Sequence, residues 1–194
     1  MQPPAEHVHW LFGAGILLLA LCMLAEAIVG SEVWCKRAWR ANLWPALVFL
    51  VGVFLWPVMV FFTNSTIHAL AHSTWAQTMM LAGGAHLGLV RGRLKSRYWK
   101  LTMPLALVVS GTAMLVHEQN SWLFQRSAFL HHALGWLLVG GAVFPLVTTF
   151  RPRSFSFQTG YALVVVAISV LLFADRDLAP IFGHLSQLAG APHR

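Results

Sequence analysis

Charge is scarce in this chain of 194 residues: Asp, Glu, Lys and Arg together make up 10% of it, and only six residues are acidic. A soluble domain carries about 25%. With 58% of the residues hydrophobic, this excludes a soluble enzyme and leaves no room for a nucleotide-binding or protease module. Cysteine is equally sparse. Cys22 and Cys35 are the only two, too few for a disulfide framework, and they read as free thiols, one in an apolar run and one beside Lys36 and Arg37. No Lys or Arg precedes the apolar stretch that starts near Trp10, so the basic start of a secretory signal is missing and the first apolar run is expected to stay as a membrane span. There is no HExxH, no G-x-S-x-G and no phosphate loop.

What the chain does have is long apolar runs. They cover Trp10 to Gly30, Leu43 to Phe62, Ile67 to Val90, Leu101 to Val116, Leu130 to Phe150 and Tyr161 to Ala174. A bilayer-spanning helix needs roughly 20 mostly apolar residues, so the fourth and sixth runs are expected to continue through the less apolar residues beside them. The reading is an all-α, polytopic membrane protein, with residues 1–194 forming a single domain of six transmembrane helices. Pro45, Pro57, Pro104 and Pro145 imply kinks within spans. Gly83, Gly84, Gly140 and Gly141 imply close helix approach.

The formal charge of +7 has a topological explanation. Lys36, Arg37 and Arg40 follow the first run, Arg91, Arg93, Lys95, Arg97 and Lys100 the third, and Arg151 and Arg153 the fifth. These are ten of the thirteen basic residues. Arg126, Arg176 and Arg194 fall on the other side, so the positive-inside rule places both termini outside, which is the periplasm if the source is bacterial, and the expected location is an inner membrane. A nucleic-acid function is not needed to account for the charge.

Ionisable residues at membrane depth are costly and are functional candidates by default. With this topology His9, His68, His72, His117, His131, His132 and His184 all lie at the outer end, and His86 alone lies deep, toward the cytoplasm. Distant histidines thus meet in one leaflet without matching acids, which suits a metal or a haem. The i, i+4 pair His68 and His72 shares a helix face. His131 and His132 point about 100° apart, so one at most faces the site. His68, His72, Trp75, Met79 and His86 fall in a stripe about 60° wide and, from end to end, about 27 Å long. Imidazole and thioether together favour copper, and the metal-ligand candidates are His68, His72, His117, His131, His132, Met79 and His86. The alternative is haem b, held by His72 with His117, His131 or His132; His86 has no histidine at its depth, which disfavours two haems. A cofactor-free accessory subunit is a further alternative. Glu26 is the one acid expected within a span, near Lys36 or Arg37.

A small polytopic chain with outward histidines, a His/Met stripe and almost no other polar chemistry resembles the bacterial copper-resistance D type of inner-membrane protein. That family carries more spans than six, and no residue role is taken from it. The resemblance implies copper handling at the periplasmic face, with the bilayer and a periplasmic metal carrier or a larger membrane complex as partners.

Overall fold

The computed structural model describes residues 5–62, 66–116, 125–152 and 154–174, with the side chains of 5, 6, 58–62, 66–69 and 125–128 outside the description. His117, His184, Arg153 and Arg176 therefore lie outside the described residues, as does the side chain of His68. Within them the chain is all helical. In order, α1 is Ala5–Val29, α2 Ser31–Trp34, α3 Ala38–Phe62, α4 Thr66–Val90, α5 Thr102–Val116, α6 Gln125–Gly141, α7 Val143–Phe150 and α8 Phe155–Ala174, with a 3-10 turn over Arg97–Leu101 leading into α5.

The boundaries follow local chemistry. The fourth apolar run is lengthened by the 3-10 turn, whose start is capped by the Ser96 hydroxyl accepting from the Tyr98 N–H. The sixth begins at Phe155, six residues before the apolar run itself. α4 ends in a left-handed glycine, Gly92 at φ 68°. Arg93 N–H bonds the Gly88 carbonyl at 2.9 Å and Gly92 N–H that of Leu89 at 3.0 Å, the paired closure that satisfies orphan carbonyls at a helix end. Pro45 and Pro57 sit inside an unbroken α3. The fifth run is two helices instead of one: the turn at Ala142 separates α6 from α7, with Pro145 three residues beyond, and a proline removes the backbone bond to the residue four before it.

Each long helix runs antiparallel to its neighbours. Gly52 meets Ala76 and Met80 while Gly83 meets Phe49 and Pro45; Gly111 meets Gly135; Gly13 meets Ser169 and Leu172. α1 packs on α3, α3 on α4, α4 on α5, α5 on α6, α6 on α8 and α8 back on α1. The six form a closed ring around an axis filled by Phe12, Ile16, Val51, Trp75, Leu107 and Leu134, among others. Two hydroxyl bonds tie ring neighbours together: Ser169 Oγ donates to the Gly13 carbonyl at 2.8 Å, and Thr78 and Ser110 share a bond of 2.8 Å. Such interhelical bonds each contribute about 0.6 to 2 kcal/mol in a membrane.

Among the described residues, five segments are long and apolar enough to cross a membrane: His7–Val29, Ala38–Pro57, Arg97–Val116, Phe129–Phe150 and Phe155–Ala174. α4, the third of the expected spans, is not among them. It is 25 residues long, but His68, His72, Gln77, Thr78 and His86 lower its apolarity. The outside of the ring is apolar: Leu11, Leu18, Phe54, Leu105, Phe129, Leu163 and Val170 are all exposed, and so are Leu70 and Leu81 on α4. A soluble monomer rarely exposes so continuous an apolar surface.

Of the four glycines expected at close approaches, Gly83 and Gly141 are there, Gly84 meets only the Phe49 ring at an ordinary 3.8 Å, and Gly140 is not there. A Cβ at Gly83 would lie 2.5 Å from the Phe49 nitrogen, and one at Gly140 would meet nothing within 4 Å. Gly83→Ala is therefore expected to destabilise the bundle by about 1–3 kcal/mol through overpacking. Gly140→Ala should be neutral or stabilising by roughly 0.5–1 kcal/mol through helix propensity. Unfolding of the two variants in detergent, compared with the parent chain, checks both signs.

Candidate functional site

The antiparallel ring brings the starts of α1, α4 and α6 to one end. Those helices are every second member of the ring, so an inward side chain on each points to the axis. His9, His72 and His131 occupy these positions. The His72 and His131 rings have centroids 6.4 Å apart at 79°, and His9 and His131 lie 6.3 Å apart at 71°. His72 and His131 are buried and His9 is partly so. His131 is the middle member of the three. His132 is exposed, as the 100° rotation between adjacent helical residues requires. His7, also exposed, packs on Trp10 with ring centroids 5.3 Å apart.

Beneath these imidazoles the axis turns apolar at once. Phe12 on α1, Trp75 on α4 and Leu134 on α6, each three residues further along, are buried. Met79 is buried among the same core residues, so the stripe on α4 does face the axis. His9 is not among the ligand candidates read from the sequence; its contact with His131 depends on α1 and α6 sharing the ring, which no local pattern encodes.

His86 is at the opposite end, with the basic loops. Its ring packs on Trp44, centroids 4.9 Å apart at 60°, and its Nε2 has no hydrogen-bond partner. Glu26 is not held by Lys36 or Arg37 as the sequence suggests; its Oε2 accepts from Trp44 Nε1 at 2.8 Å. Both cysteines are free. Partial burial, and then the charge of Glu26, push the Cys35 thiol up, with Lys100 acting the other way.

Among the described residues, no three His, Cys, Asp or Glu side chains are spaced to share one metal ion. The outer histidines meet as pairs instead. Two imidazoles on opposite sides of one ion, with bonds of about 2.0–2.1 Å, keep their ring centres roughly 6 Å apart. The chain matches no protein-family model, no curated protein and no solved structure.

The burial pattern has a direct chemical readout. Diethyl pyrocarbonate, followed by peptide mass spectrometry, is expected to label His7 and His132 readily and to spare His72 and His131. Equal labelling of His131 and His132 would contradict the inward rotation of α6.

Proposed function

We propose that this is an inner-membrane protein of six spans that binds copper as Cu(I) between imidazole pairs at its outer end, and that it serves copper handling at the periplasmic face. The observation that carries the reading is the convergence of His9, His72 and His131 from alternate helices of the ring. Cu(I) accepts two-coordinate linear geometry, whereas Zn(II) in protein sites asks for four ligands. Imidazoles that meet ring to ring in pairs favour the former. The copper-resistance D resemblance points the same way.

α4 is the sixth span in this reading. It matches the length of α3, packs between α3 and α5, and turns Leu70 and Leu81 outward. Its polar residues include the inward His72, and intramembrane ionisable residues face the bundle interior. The basic loops at the ends of α1, α4 and α7 then lie in the cytoplasm and the histidine end outside. Reporter fusions after Lys36 and Arg97 should read cytoplasmic and one at Asn120 periplasmic; a periplasmic signal at Arg97 would move the histidine end inside and overturn the assignment.

The copper reading is tested by loading purified protein with Cu(I) anaerobically against a competing chelator. His131 belongs to both pairs, so His131→Ala should lose nearly all retained copper, while His9→Ala and His72→Ala each leave one pair and lose part. His132→Ala should retain it. Equal retention in His131→Ala and His132→Ala rejects the site. A Soret band in the purified protein would replace copper with haem b held by His72 and His131, whose near-perpendicular rings at 6.4 Å also suit axial ligands.

A further inference from the structure

The end of the bundle remote from the histidine pairs contains a cavity of about 290 Å³. Met23, Trp44, Met103 and Tyr161 give it an apolar and aromatic wall, and the exposed Cys35, Val90 and Pro152 mark its mouth. Pockets of this kind hold small ligands by an apolar fit and a few placed polar groups.

Most polar side chains of the wall are engaged within the protein. Thr148 and Thr149 donate to the Pro145 carbonyl, and the Gln158 amide donates to Ser31 and to the Pro152 carbonyl. Two charges are left. Glu26 accepts one hydrogen bond, from Trp44 Nε1 to Oε2 at 2.8 Å, whereas a carboxylate has acceptor sites for about four. Lys100 brings donors alone. Both residues line the cavity, both are half-buried, and both act on the Cys35 thiol at its mouth, with opposite signs. Among the described residues they form no ion pair with each other or with any other side chain. A carboxylate and an ammonium that share one space without meeting leave it to an occupant to neutralise both.

An anion would satisfy Lys100 and meet its own sign at Glu26, and a cation would do the reverse. A zwitterion satisfies both. Depth narrows the class further. Trp39, Tyr98 and Trp99 are exposed at this same end, and exposed aromatic residues mark the headgroup level of a bilayer. Lys100 follows Trp99 directly and stands at that level. An apolar cavity of about 150 Å³ takes one benzene. This one has nearly twice that volume, which suits about a dozen non-hydrogen atoms, the size of a phospholipid headgroup with its glycerol.

We propose that this cavity binds the headgroup of an ethanolamine phospholipid, whose ammonium donates to Glu26 while its phosphate is held by Lys100 and its glycerol lies on the apolar wall. A choline headgroup has the same phosphate but carries methyl groups in place of the N–H donors, so it cannot hydrogen-bond Glu26. A glycerol headgroup has no cation. The selection therefore runs against net charge: an end whose basic residues attract anionic lipid in general holds a zwitterionic lipid at this point. The site depends on the bundle crossing a bilayer, which the reporter fusions test separately, and not on copper.

The test is native mass spectrometry of the delipidated full chain in detergent, titrated with phosphatidylethanolamine, phosphatidylcholine and phosphatidylglycerol of identical acyl chains. One phosphatidylethanolamine is expected to bind about tenfold tighter than either of the others, as one charge-assisted hydrogen bond allows. Glu26→Gln should remove most of the preference over choline, and Lys100→Gln should weaken the ethanolamine and choline lipids alike. Lys36→Gln, a charge outside the cavity, should change neither. Circular dichroism checks the helicity of each variant. Equal affinity for ethanolamine and choline lipids in the parent chain overturns the proposal, as does tightest binding of phosphatidylglycerol or an undiminished preference in a folded Glu26→Gln. Displacement of the lipid by an equal concentration of soluble glycerophosphoethanolamine would make the ligand a free zwitterion and overturn the lipid assignment. The parent-chain comparison decides the matter even if the variants do not fold.

Discussion

The histidine cluster depends on ring closure by the first and last long helices. Lipid offers no hydrophobic drive for helix association, so membrane helices hold together by close packing and interhelical hydrogen bonds. α1 and α8 meet where Gly13 lies against Leu172 and receives a hydrogen bond from Ser169. Without that contact α1 would be held to the bundle only through α3, and His9 would have no fixed relation to His131. With it, α1, α4 and α6 become alternate members of a closed ring, and three side chains far apart in sequence acquire a common axis.

Closure also explains why the imidazoles are confined to the two ends. A ring of six antiparallel helices must fill its axis, and here it does so with Phe12, Ile16, Val51, Trp75, Leu107 and Leu134. An imidazole in that layer would be buried without a partner. At the outer end imidazole meets imidazole. At the basic end His86 packs on Trp44 and its Nε2 has no hydrogen-bond partner. The same helix, α4, supplies a polar group to both ends, and this is the reason it falls short in apolarity of a span that the ring treats as equal to its neighbours.

The sequence allowed the helices to be read with little error, because apolar runs bounded by basic loops have few alternative structures. The inward face of α4 was legible from the spacing of His72, Trp75 and Met79, and the differing rotations of His131 and His132 from helical geometry. What could not be read was which helices are neighbours. The contact of His9 with His131, the pairing of Glu26 with Trp44 in place of a nearby cation, and the opposed glycines Gly111 and Gly135 all join segments whose order around the ring has no local signature. The break between α6 and α7 is a milder case: Pro145 announces a kink, but the division of the run into two helices depends on how α7 lies on α8.

Pairwise meeting of the outer histidines has a geometric cause in the ring itself. Three alternate helices of a six-membered ring stand further apart than adjacent ones, so imidazoles reaching inward from them approach ring to ring, at 6.3 and 6.4 Å, and do not close into a tight triangle. Drawing all three onto one ion would require the helices to move inward together, against Phe12, Trp75 and Leu134 packed just below. That pairwise approach is what the proposed two-ligand ion asks for, and His131 is the residue common to both pairs. The apolar layer of Phe12, Trp75 and Leu134 then sets the inner limit of the cluster.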